Sequence, residues 1–90
     1  SSLPTPVSWQ VTDRAIEVIF PSDLQSAPQG EVRLYCPSNS EKDRSFTIQS
    51  LKNNIFLIPR TALPKGHFQL QIEWKSAGNT YLNEGVIAIK

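Results

Sequence analysis

Methionine is absent from the 90 residues, and cysteine and histidine occur once each, as Cys36 and His67. A lone cysteine cannot form an internal disulfide, which excludes a secreted domain stapled by disulfides. A structural zinc site takes four Cys or His ligands, and a copper(I) site favours clustered Cys and Met. Neither can be assembled within one copy of this chain, so no cofactor and no metal site is expected. A charge excess is also missing. Nine Lys+Arg face eight Asp+Glu, a net charge of +1. No nucleic-acid partner is expected, because such domains carry a basic excess on one face. Long apolar runs are missing too. No unbroken one is longer than the four residues of Ile55-Phe56-Leu57-Ile58, against the roughly 20 residues of a spanning helix. No transmembrane helix or signal peptide is read within these residues. No segment longer than six residues shows helical periodicity, and no internal repeat, low-complexity tract or interior linker appears. Residue 1 is Ser rather than an initiating Met, which is read as a processed or truncated product. At 10.1 kDa the chain is one domain with a small core and little room for a deep cleft.

Short β-like runs are present, at about 7–12, 15–20, 31–36, 45–50, 55–58, 67–75 and 80–89. This spacing predicts an all-β fold, an immunoglobulin-like β-sandwich of about seven antiparallel strands. Residues 7–90 form that single domain, and the Pro- and Ser-rich residues 1–6 an extended N-terminal arm. The strongest run is His67–Lys75, where Phe68, Leu70, Ile72 and Trp74 alternate with Gln69, Gln71, Glu73 and Lys75. One face is apolar and the other wet, which no helix could achieve with this order. Gly78 marks a tight hairpin loop after it. Gly85 interrupts the returning run and is read as a β-bulge. Val32, Leu34 and Cys36 share one side of their strand, with Arg33 and Tyr35 on the other. Asn53-Asn54 reads as a turn, since Asn tolerates left-handed backbone. Pro21, Pro37 and Pro59 act as strand stops.

The residues offer no catalytic constellation, and the chain is expected not to be an enzyme. His67 is the only imidazole, on the wet side of its strand, and no motif brings a nucleophile and a carboxylate to it. Cys36 reads as a small buried hydrophobe rather than a reactive thiol. Glu41 and Asp43 are the only close carboxylate pair besides dispersed acids. With Lys42 and Arg44 interleaved they read as a neutralised loop rather than a calcium site. Trp74 belongs to the core by its alternation. Trp9 alternates with Ser8 and Gln10 and is read as packing rather than as a stacking platform.

The run Gly30-Glu31-Val32-Arg33-Leu34-Tyr35-Cys36-Pro37-Ser38-Asn39, with Asp43 after it, resembles the FixH family. So do Leu63-Pro64-Lys65-Gly66-His67-Phe68-Gln69-Leu70, then Ile72-Glu73-Trp74, and Gly78-Asn79-Thr80-Tyr81 with Glu84, Ile87 and Ile89. The resemblance covers about 30–90, and 15–20 more loosely. It implies a periplasmic β-sandwich behind an N-terminal transmembrane helix, here taken to lie upstream of Ser1, in the bacterial inner membrane. FixH-like proteins are encoded with a copper-exporting P-type ATPase and assist assembly of the cbb-type cytochrome c oxidase. The expected partners are therefore oxidase subunits or that copper-transporting ATPase. The family brings no catalytic residues. Pro37, Ser38 and Asp43 match its most characteristic loop, and Trp74 and Tyr81 its C-terminal hairpin. Cys36 stands where many relatives have a basic residue.

The function expected on this basis is that of a non-enzymatic assembly factor working by protein–protein contact. The alternatives are a copper metallochaperone for the same oxidase, against which the ligand count weighs, and a generic immunoglobulin-like binding module. Loops at a sandwich end are held rigidly and commonly carry function. Pro37–Arg44 is therefore the candidate surface, with Ser38, Asn39 and Arg44 as contact residues. Pro37, Asp43, Trp74 and Tyr81 are expected to hold loop and core.

Overall fold

The structure, a computed structural model, describes residues 7–21, 24, 26–49 and 51–90. The expected arm of residues 1–6 lies outside the described residues. Among the described residues the chain forms the strands β1 (Ser8–Val11), β2 (Ala15–Ile19), β3 (Gln29–Tyr35), β4 (Arg44–Ile48), β5 (Ile55–Pro59), β6 (Gly66–Ser76) and β7 (Asn79–Ile89). Each corresponds to one of the expected runs. Two single-turn 3-10 segments, Ser40–Lys42 and Arg60–Ala62, connect strands. They are too short to show a helical period and were not expected.

The strands divide into two antiparallel sheets, ordered β1-β2-β5 and β4-β3-β6-β7. This is an all-β sandwich. The triplets β1-β2-β5 and β3-β6-β7 are those of an immunoglobulin-type domain. Here the fourth strand pairs with β3 instead of extending the first sheet beside β5. Alternation turns one face of each sheet inward. Ile16 and Val18 of β2 and Ile58 of β5 meet Val32 and Leu34 of β3 and Phe68, Leu70 and Ile72 of β6, all buried. Each such side chain is stabilised by roughly 1.5–3 kcal/mol on leaving water.

Two hairpin loops match their residues to the backbone they require. Asn53 and Asn54 lie at φ 53° and 65°, and Lys52 and Ile55 exchange both backbone hydrogen bonds across them, at 3.1 and 3.0 Å. The loop between β6 and β7 is Ala77-Gly78, at φ 52° and 82°. Both residues are left-handed, as the twist of a two-residue hairpin demands.

Trp74 joins the sheets at one end. Its ring stacks on Tyr81 of β7 at 4.5 Å between centroids and meets the Phe20 ring edge-on at 5.2 Å. Its indole N–H donates to Asn83 Oδ1 at 2.9 Å, so burial leaves no orphan donor.

Gly85 does not mark a bulge. β6 and β7 pair without interruption from Gly66↔Ile89 through Leu70↔Gly85 to Ser76↔Asn79. The glycine is there for space. The Trp9 ring of β1 lies against it, and a Cβ at residue 85 would come within 2.8 Å of Trp9 Cη2. Trp9 is half-buried against the core and closes the flank of the sandwich. Gly85→Ala should therefore cost about 1–3 kcal/mol by overpacking, measured by urea unfolding, and should shift the Trp9 fluorescence. Unchanged stability would remove the close approach as the reason for the glycine.

Candidate functional site

The segment from Cys36 to Arg44 links β3 to β4 at the end of the sandwich away from Trp74. Its shape follows from its residues in order. Pro37 has its φ preset for the second place of a turn, and the Asn39 amide closes that turn on the Cys36 carbonyl at 3.1 Å. Asn39 then caps the Ser40–Lys42 turn, its Oδ1 accepting from the Glu41 amide at 3.0 Å. Asp43 returns to the start, Oδ1 accepting from the Cys36 amide at 2.8 Å. The Arg44 guanidinium donates to the carbonyls of Glu41 and Asp43 at 3.0 and 2.8 Å. Lys42 Nζ donates to the Lys65 carbonyl at 2.9 Å and ties the loop to the segment entering β6.

Cys36 is buried, as its alternation with Val32 and Leu34 implies. Its sulfur lies 3.5 Å from Ser38 Oγ. That hydrogen bond holds the thiol below its ordinary pKa. Burial works against it, and the Ser38 and Asn39 backbone and the Lys42 charge add to the lowering. The thiol points into the fold, and among the described residues no three His, Cys, Asp or Glu come together as metal ligands.

Beside the loop lies an open groove of about 480 Å³, lined by Pro37, by His67, Phe68 and Gln69 of β6, and by Val86, Ile87 and Ala88 of β7. Its walls are mainly apolar. Pro37, Ser38, Asn39, Asp43 and Arg44 are thus gathered at one end. Asn39 and Arg44, expected as contact residues, also brace the loop, and both remain exposed. Trp74 and Tyr81 lie at the other end, in and against the core. Asp43 spends an oxygen on the Cys36 amide and Glu41 stands exposed, so the pair does not converge on one ion. Sequence reasoning missed the groove because the assumed bulge at Gly85 broke the alternation of β7. Carried straight through from Tyr81, period 2 puts Leu82 and Val86 outward, where they are 59% and 78% exposed. Among the described residues no helix is long and apolar enough to cross a membrane.

Fold and site together define a small β-sandwich domain presenting a braced loop and an apolar groove at one end. The chain belongs to the FixH family, whose model matches residues 3–88. No curated protein and no solved structure matches it.

Asp43→Ala should cost about 1–3 kcal/mol in urea unfolding, because the partly buried Cys36 amide loses its acceptor. Asp43→Asn keeps an oxygen there and should cost less. A loss within experimental error for Asp43→Ala would assign the loop's shape to its other bonds.

The Cys36 thiol should also leave a pH signature. Its folded pKa lies below the unfolded one, so its ionisation adds stability as pH rises through the interval between them. That contribution is complete above the unfolded value and is lost as pH falls through the folded one. Thiolate absorbance should appear at lower pH in the folded protein than in urea, and Ser38→Ala should move it upward. Coincident folded and unfolded titrations would contradict the assignment.

Proposed function

We propose that this chain is the globular, periplasmic part of a membrane-anchored assembly factor for a bacterial cbb-type cytochrome c oxidase, working by protein contact and without catalysis. Family membership supports the association with that oxidase. The observation that carries the contact mode is the braced loop beside the apolar groove. The strand register adds an orientation. Ser8 pairs with Ile19, beside Phe20 and Trp74, so the chain enters the sandwich at one end. The Pro37 loop lies at the other. With an anchor upstream of Ser1, the loop and groove face away from the bilayer, where a periplasmic part of an oxidase subunit or of the copper-transporting ATPase can reach them. Copper delivery by the domain itself is less well supported, because Cys36 is turned inward and its sulfur faces a serine hydroxyl.

The test is affinity capture of the tagged full-length protein from membranes of a bacterium that makes the oxidase, with mass spectrometry of what is retained. Oxidase subunits or the copper ATPase should be enriched over an untagged control. Asn39→Ser keeps a capping oxygen and Arg44→Gln keeps an amide donor, so the pair changes the surface while sparing the loop. Together they should lower both recovery and oxidase activity with little change in unfolding midpoint. Wild-type recovery and activity in the double variant would remove the loop as the interface. Unchanged oxidase activity on deleting the whole gene would remove the assembly role.

A further inference from the structure

The open edge of β7 is built differently from the other sheet edges. Among the described residues β7 pairs with β6 alone. The two-residue loop Ala77-Gly78 makes Ser76 and Asn79 the first hydrogen-bonded pair, and the pairing then alternates without slip. Tyr81, Asn83, Gly85 and Ile87 therefore bond to β6. Thr80, Leu82, Glu84, Val86 and Ala88 turn their N–H and C=O groups to the open side. An unpaired row of this kind is a template for another strand, and proteins normally blunt it with short strands, prolines, bulges or charge. The other edges follow that rule. β1 has 4 residues, β4 has 5 and begins with Arg44, and β5 has 5 and ends in Pro59. β7 has 11 residues, no proline and no bulge, and a single charged residue, Glu84, at its middle.

The side chains on the same five residues state what would fit. Leu82 and Val86 are 59% and 78% exposed, and the apolar groove adjoins Val86 and Ala88. Glu84 stands between the two apolar residues. Its carboxylate accepts from the Gln71 amide at 3.0 Å, and the ion pairs among the described residues, Arg33 with Glu31 and with Glu73, leave it without a cation. An incoming strand is thus matched by an apolar residue across from Leu82, a basic one across from Glu84 and an apolar one across from Val86. A second copy fits poorly. The antiparallel register that sets Leu82 against Val86 of a copy also sets Glu84 against its own counterpart, and like charges directly opposite are destabilising.

We infer that β7 is a docking edge that adds an extended segment of a different protein as a further strand, and that it selects the pattern apolar-x-Lys/Arg-x-apolar. The backbone row supplies affinity, and the Leu82, Glu84 and Val86 positions supply selection. The inference does not depend on which complex the domain serves.

The test uses an end-blocked peptide, Thr-Val-Thr-Lys-Thr-Val-Thr, with the whole chain. Amide hydrogen exchange read by NMR should slow by about tenfold or more at Leu82, Glu84 and Val86 as peptide saturates, while Asn83 and Gly85, already bonded to β6, change little. Replacing the central Lys by Glu in the peptide should abolish the protection. Glu84→Lys should weaken the Lys peptide by about tenfold and accept the Glu peptide instead. Glu84 is exposed and outside the core, so this variant should fold. No protection at saturating peptide, equal protection by both peptides, or protection at β4 would overturn the proposal. Protection at the same amides without peptide, with dimers in sedimentation, would overturn it in favour of a second copy.

Discussion

The uninterrupted pairing of β6 with β7 is the constraint on which the rest of the molecule depends. Side chains in a strand alternate with period 2, so a slip of one residue would turn every inward group of β7 to water. With the register as it stands, Tyr81, Asn83, Ile87 and Ile89 face the interior beside Trp74, Ile72, Phe68 and the end of β6. Gly85 falls on the inward side, where the Trp9 ring requires its missing Cβ. The same phase turns Leu82, Glu84 and Val86 outward. The core, the closure of the flank by β1 and the character of the outer edge are thus consequences of one ladder.

The two ends of the sandwich do different work. Around Trp74, aromatic packing and an internal hydrogen bond lock the sheets together where the chain enters. Around Pro37, the loop is held by polar bonds within itself and by one from Lys42 to Lys65, and an apolar groove lies open beside it. Asn39, Asp43 and Arg44 each serve that loop through a named backbone group. A loop fixed in this way presents its exposed atoms with little ordering cost on binding, which suits a surface that works by contact.

Much of this was legible from residue order alone. The alternation of Phe68, Leu70, Ile72 and Trp74 sets strand, face and burial in β6 without further information. Asn53-Asn54 and Gly78 identify their turns because few residues tolerate the backbone required there. The Pro37 loop could be named as a strand-to-strand connection with polar side chains. That Asp43 reaches back to the Cys36 amide, and that Lys42 reaches Lys65, needed the fold, because the bonded groups are separated in sequence.

What the sequence by itself determined is the set of strands, the inward faces of β3 and β6 and the all-β class, since each rests on a local period or a local backbone preference; the face of β7 past Gly85 waited for its pairing with β6. The tertiary structure alone decided why residue 85 is glycine, because the reason is the ring of Trp9, far away in the chain. It also decided that, among the described residues, β7 is an outer strand with an open edge, and that its Val86 and Ala88 form a groove with Pro37. These are matters of which strand lies beside which, and strand order is set by how two sheets share one core, not by any property that a single strand carries.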